Sequence, residues 1–415
     1  MRLLAAALAL FAAQVLLAAE PISRTITVPL DYTNTALGHA ELTIEFGAPF
    51  DRTKPTVIVV ADGQQFYLQR GSVAELQTRR FGDAFNVVGI LGRGATDAFI
   101  AATRGEGGAT DWRKAWQIFR AEQWMGDIDA VRRALAGDDG NFYLFGASGG
   151  ADLIHQFLLR YGRHVLRAYT GSPGNDALAR ELRLRDEGTW DELSSDPSLE
   201  VKLQKVLADH PAERAAIMTA LQRQHFFVSA ADLPRERSAL IDALARWDVA
   251  AFAHARETYQ VDAILELERS PRGIAIAVRE FEFLYASGTY RRLGDGHLHP
   301  SIEAVYTSTK PLIELAERGD ITPPRFDLTP AHALSTEVFL LAARWDEAID
   351  YRISIALAYS YPHHELFLAD DNHMFGNAKA GELQSRIVQT FLRYGLGSPE
   401  LRKLLDEIEW YRWHE

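Results

Sequence analysis

At 415 residues, with 47% apolar and 24% charged, the chain has ample material for a buried core and does not have the composition of a disordered or fibrous protein. A net charge of −12 leaves no basic patch to neutralise phosphates, which argues against nucleic acid as a partner. The absence of cysteine excludes disulfides, thiolate metal sites and cysteine nucleophiles.

At the start of the chain, Arg2 precedes a mostly apolar run from Leu3 to Ala19, and small residues stand just before Glu20. Residues 1–19 therefore read as a secretory signal peptide, and the protein as exported to the periplasm or beyond, with no stable membrane insertion after cleavage. A retained membrane anchor is the competing reading, because spanning helices start at about 17 residues. From Thr25 to Phe46 the sequence alternates polar and apolar residues, which predicts two antiparallel strands joined by a turn at Asn34–Gly38. PTVIVVADG, FNVVGILGRG and NFYLFGASGG follow as short continuous apolar runs closed by glycine, as expected of strands buried on both faces of a parallel sheet. Between and after them, Asp111–Leu135 and Ala151–Tyr161 carry apolar residues at helical spacing. This alternation predicts an α/β protein with a mostly parallel sheet over residues 20–175.

From residue 176 to 327 the strand signals almost vanish and amphipathic helices take over, so this block reads as an inserted all-helical cap. Strand patterns return in TEVFLLAARWD and HELFLADDNH, making 328–415 the second part of the core. Two helices close the chain, Ala380–Tyr394 and Ser398–Trp413, the latter opening on Ser398-Pro399 as N-cap and first residue.

The candidate nucleophile lies in Gly146-Ala147-Ser148-Gly149-Gly150, a G-x-S-x-G sequence between a predicted strand and a predicted helix. The flanking small residues allow a sharp turn that exposes Ser148, and the Gly149 N–H then points into the site as an oxyanion donor. A serine hydroxyl needs a base within reach and an anion to orient that base. Asp346 follows the run Glu337–Ala342, and His373 follows the run Glu365–Ala369, so both stand at strand ends in the chain order Ser, Asp, His of α/β-hydrolases. Asp350 is the alternative acid, but belongs to the next helix; Asp371 is too near His373 in sequence to orient it. Neither the cluster of His363, His364, Asp370, Asp371 and His373 nor the run Asp295–His299 has a metal-ligand spacing, so no metal is expected.

Val28–Tyr32 (VPLDY), Gly126–Leu135 (GDIDAVRRAL), the GASGG turn and the Asp346 and His373 strand ends together resemble prolyl and tripeptidyl aminopeptidases of the α/β-hydrolase superfamily. The resemblance runs through nearly all of the chain after residue 19. It implies an α/β-hydrolase fold with a helical cap, a Ser148–His373–Asp346 triad, no cofactor, and a small-molecule or short-peptide substrate with a free amine. It further implies Gly63 as the second oxyanion donor, and Glu280, with Glu282 next, as the cap acid that binds the amine. Two departures stand out. The family's HGGPG loop is here Ala61-Asp62-Gly63-Gln64-Gln65, and an Asp62 carboxylate near an oxyanion is unfavourable unless turned away. Of the family's DQRGxGxS only Arg93-Gly94 persists. A carboxylesterase, or a weakly catalytic ligand-binding homologue, are the alternatives.

Overall fold

The computed structural model describes residues 22–62, 68–184, 196–323 and 326–408. The signal-peptide reading, the Gly63 donor and the end of the last predicted helix lie outside these residues. Among these residues, eight strands form one sheet: β1 (Ile22–Pro29), β2 (His39–Phe46), β3 (Thr56–Val60), β4 (Asn86–Leu91), β5 (Phe142–Ala147), β6 (Val165–Gly171), β7 (Glu337–Ala343) and β8 (His364–Ala369). Their order is β1-β2-β4-β3-β5-β6-β7-β8. The pairs β1–β2 and β2–β4 are antiparallel, and every other pair is parallel. Together with the strand–turn–helix at Ser148, this is the α/β-hydrolase fold.

The continuous apolar runs are explained by burial on both faces. Along β3, Ile58 and Val60 join a core with Ile154 and Phe157 of the helix Gly149–Tyr161. Val57 and Val59 point the other way, into a core with Ile387, Val388 and Phe391 of the helix Leu383–Tyr394. In that second core Phe145, Tyr169 and Phe339 stack across three strands, with centroids 5.3 and 5.6 Å apart.

Between β6 and β7 no strand occurs among the described residues; helices from Asp176–Glu181 to Pro300–Glu317 fill the interval. Part of this block has its own core, around Leu203, Ile217, Leu221, Ile241 and Val261. The helix Gly273–Ser287 belongs instead to the main core, through Ala275, Val278 and Phe281.

Three expectations need correction. The helical pattern Asp111–Leu135 is two helices, Trp112–Phe119 and Ala121–Ala136, because Arg120 is extended, with ψ at 158°. Trp124 Nε1 donates to the Phe119 carbonyl at 2.7 Å, and Glu282 accepts the free Ala121 N–H at 2.9 Å, so both sides of the break are satisfied. The helix predicted from Ala380 begins at Leu383, after a short turn of helix at Gly376–Ala380. Asp350 stands just before the helix Tyr351–Tyr359 and caps it, accepting the Arg352 N–H at 2.8 Å.

Two of the segments quoted for the resemblance, Val28–Tyr32 and Gly126–Leu135, meet at Arg93. Arg93 is fully buried, its guanidinium held by both oxygens of Asp127 at 2.8 and 2.7 Å and by the carbonyls of Leu30 and Ile118. Tyr32 donates to Asp127 at 3.0 Å, and its ring fills the space that a Cβ on Gly126 would need. These motifs tie the first loop to the helix Ala121–Ala136, so they are scaffold and not chemistry.

Candidate active site

Ser148 sits between β5 and the helix Gly149–Tyr161 with φ 52° and ψ −128°. Such a backbone costs a non-glycine residue on the order of 1–3 kcal/mol, and it persists because the surroundings hold it. The Ser148 N–H donates to the Gly171 carbonyl of β6 at 2.8 Å, and its own carbonyl accepts from Asp152 at 3.0 Å. A Cβ at Gly146 would lie 2.8 Å from Ile154 and 3.0 Å from the Gly150 backbone, which is why the tight turn requires glycine there. The helix N-terminus behind Ser148 places its positive dipole end at the turn.

Asp346 and His373 follow β7 and β8, and the parallel pairing of those strands brings the two loops together. His373 Nδ1 lies 2.8 Å from Asp346 Oδ2. The second oxygen, Oδ1, accepts the backbone N–H groups of Ala348 and Ile349 at 2.8 and 2.9 Å. Asp346 is 6% exposed. Burial acts to raise its pKa, but the adjoining His373 charge and the hydrogen bonds outweigh it and hold the carboxyl below its ordinary value. An ionised carboxylate only accepts, so His373 carries its proton on Nδ1 and leaves Nε2 as an acceptor. Asp371 is engaged elsewhere, accepting the N–H groups of Asn372, Asn377 and Ala378.

Ser148, Gly149 and His373 all line one cavity of about 260 Å³. Its other walls are mixed: Leu284, Ile302, Val305 and Ile353 are apolar, while Arg180 and Glu280 bring opposite charges to it. Burial pushes the Glu280 carboxyl well above its ordinary pKa, and the nearby Glu268 and Asp62 carboxylates add to this against a hydrogen bond from Ser308. Among the described residues no cation forms an ion pair with it.

Glu282, the other cap candidate, does not reach the cavity. Its helix turns it toward the core, where it pairs with Arg279 and accepts from Ala121. The sequence also gave no warning of what surrounds Asp62. That side chain is not turned away; a Cβ on Gly149 would collide with its carboxylate. Its charge is met by Arg279, whose fully buried guanidinium lies 3.4 Å from Asp62 and 3.1 Å from Asp152, and also bonds Glu282. The available signal was a lone arginine in the apolar stretch AIAVREFEFLY. Among the described residues no group of three or more histidine, aspartate or glutamate side chains could hold a metal, and no helix is long and apolar enough to cross a membrane.

No protein-family model matches the sequence, and no curated protein matches it. Among solved structures, the chain is similar to a bromoperoxidase from Bacillus anthracis, with 12% identity over 89% of this chain and 100% of that one, and a TM-score of 0.41. It is similar to a thermophilic esterase from Thermogutta terrifontis, with 15% identity over 92% of this chain and 99% of that one, and a TM-score of 0.40. MGS-M2, an α/β-hydrolase enzyme from a Medee basin deep-sea metagenome library, matches at 10% identity over 85% and 94% of the two chains, with a TM-score of 0.41. Likeness this distant says nothing about substrate.

Proposed function

We propose that the protein is a serine hydrolase that transfers an acyl group to water, and that it acts as an aminopeptidase on short peptides, with residues 1–19 as an export signal. The observation that carries the hydrolase reading is a serine on a strained strand-to-helix turn that shares its cavity with a histidine already paired to a buried aspartate. In this reading His373 Nε2 takes the proton from Ser148 as Oγ attacks the carbonyl. The Gly149 N–H holds the developing oxyanion, with the Gly63 N–H as the donor implied by resemblance. Arg279 keeps the adjoining Asp62 from opposing that charge. His373 then protonates the leaving group, and water, activated by the same base, releases the acyl product. No cofactor enters. Wild-type protein is expected to be labelled by a fluorophosphonate probe and Ser148→Ala to remain unlabelled; a folded wild type that resists the probe would favour a ligand-binding protein.

The aminopeptidase part is supported by Glu280, a half-buried carboxyl that lines the cavity and forms no ion pair among the described residues, although Arg180 also lines that cavity. A substrate ammonium would supply the counter-charge that makes ionisation of such a group favourable. Glu280→Gln is therefore expected to lower kcat/KM on free-amine aminoacyl arylamides by roughly 30-fold or more. The N-acetylated substrates and p-nitrophenyl esters should be little affected. Equal loss on all three would remove the amine anchor and leave the esterase reading.

A further inference from the structure

We propose that the cap turn carrying His225 and Phe226 is a positioning element for His373, so that the base is fully seated only when the cap is docked. The inference rests on the triad reading above, but its geometric part stands apart from it. The turn is a single 3-10 helix, Gln224–Phe226, directly after the helix Arg214–Arg223. The Phe226 ring lies 5.4 Å from the His373 ring at an interplanar angle of 77°, and the His225 ring lies 6.3 Å away at 85°. The two cap rings are 3.9 Å apart, so they brace each other. Edge-to-face contacts of this kind hold a ring by its orientation as well as its position.

Three further contacts dock this part of the cap on the loops that carry the acid and the base. Asn372, the residue before His373, donates from Nδ2 to the Val228 carbonyl at 2.9 Å. Arg237, on the cap helix Leu233–Ala245, donates to both oxygens of Glu347 at 3.3 and 2.8 Å, and Glu347 follows Asp346 directly. Among the described residues, the core holds the imidazole by one hydrogen bond, at Nδ1. Rotation about that bond would turn Nε2 within the cavity that His373 shares with Ser148, and the cap rings oppose it.

His225 is buried and its Nε2 has no hydrogen-bond partner among the described residues. Its ring also lies against the Gln222 backbone, whose hydrogen-bonding acts against the effect of burial. It therefore presents a buried ring with an unpartnered Nε2 beside His373, which becomes an imidazolium during turnover. Burial, with the His373 charge next, pushes its pKa down to about 3, so it adds no repelling charge above moderately acid pH. The charged groups that bear on it are His373, Asp346 and Arg237, and Arg237 is offset by Glu347.

The test uses the whole protein with Phe226→Ala and Phe226→Leu, and Phe226→Tyr as the ring-retaining rescue. Melting temperatures establish that each variant folds. The low-field proton resonance of the Asp346-bonded imidazole, assigned by its loss in His373→Ala, reports ring order without any need for turnover. Expected for Ala and Leu are a broadened or missing resonance and a kcat reduced about 10- to 100-fold with KM changed less than about threefold, both restored in Tyr. Folded Ala and Leu variants that keep a sharp resonance and wild-type kcat would overturn the proposal. If wild type resists fluorophosphonate but the resonance still responds to position 226, the triad reading falls and the positioning role stands.

Discussion

Asparagine at position 346 is expected to lower kcat by about 10⁴-fold while leaving KM and the fold nearly unchanged. The reason lies in how the two carboxylate oxygens are used. Oδ1 accepts two backbone N–H groups, from Ala348 and Ile349, and Oδ2 faces His373. An asparagine carbonyl would remain with the backbone donors, because its amide would meet N–H groups there. The NH₂ would then face His373 Nδ1 and donate to it. That reverses the tautomer, puts the ring proton on Nε2, and leaves nothing to accept the proton of Ser148. Steady-state kinetics on the best arylamide or ester, alongside circular dichroism, checks this. A loss below about tenfold would show that Asp346 does not orient the base. Asp350→Asn is the matched control: Asp350 caps a helix and pairs with Arg352, so its replacement bears on stability and not on kcat.

Arg279→Met is expected to destabilise the protein by about 3–5 kcal/mol, a fall in Tm on the order of 10 °C. One guanidinium that is 0% exposed serves Asp62, Asp152 and Glu282, and its removal takes that cation away from three buried carboxyls. Adding Asp62→Asn and Glu282→Gln should recover part of the loss, since neutral partners need no counter-charge. An Arg279→Met protein as stable as wild type would mean that the cluster is not an electrostatic joint between cap and core.

The same cluster sets a pH dependence. Burial, opposed by Arg279, raises Asp152 to about 6 and Glu282 to about 7. In the unfolded chain both titrate near about 4, so between about pH 4 and 7 the folded protein binds more protons than the unfolded one. Stability from these groups therefore declines as pH rises through that window. Asp346, held below its ordinary value, acts in the opposite sense, its contribution being lost as pH falls below about 4. Calorimetry should show Tm falling from about pH 5 to about pH 8, less steeply in Glu282→Gln; a rising Tm would reverse the assignment.

Local pattern was enough to place much of the sheet and the three residues of the candidate site. Alternation over Thr25–Phe46 and glycine-closed apolar runs are direct consequences of one-faced and two-faced burial, so β1 through β5 could be read from residue types alone. Ser148, Asp346 and His373 were legible because each stands at the end of such a run, and parallel strands deliver their ends to one edge. Where the reading went astray, a distant side chain had decided the local structure. The break at Arg120 depends on Glu282, which lies far along the chain and satisfies the N–H that the break exposes.

What the sequence by itself determined, then, is the sheet, the turn at Ser148 and the placement of Asp346 and His373 after adjoining strands, because each follows from the periodicity and size of neighbouring residues. What only the tertiary structure decided is the charge pairing of Asp62 with Arg279, the turning of Glu282 into the core, and the ring contact between Phe226 and His373. Each of these joins residues from the core and the helical block, and such pairings are set by packing, of which a one-dimensional pattern holds no record.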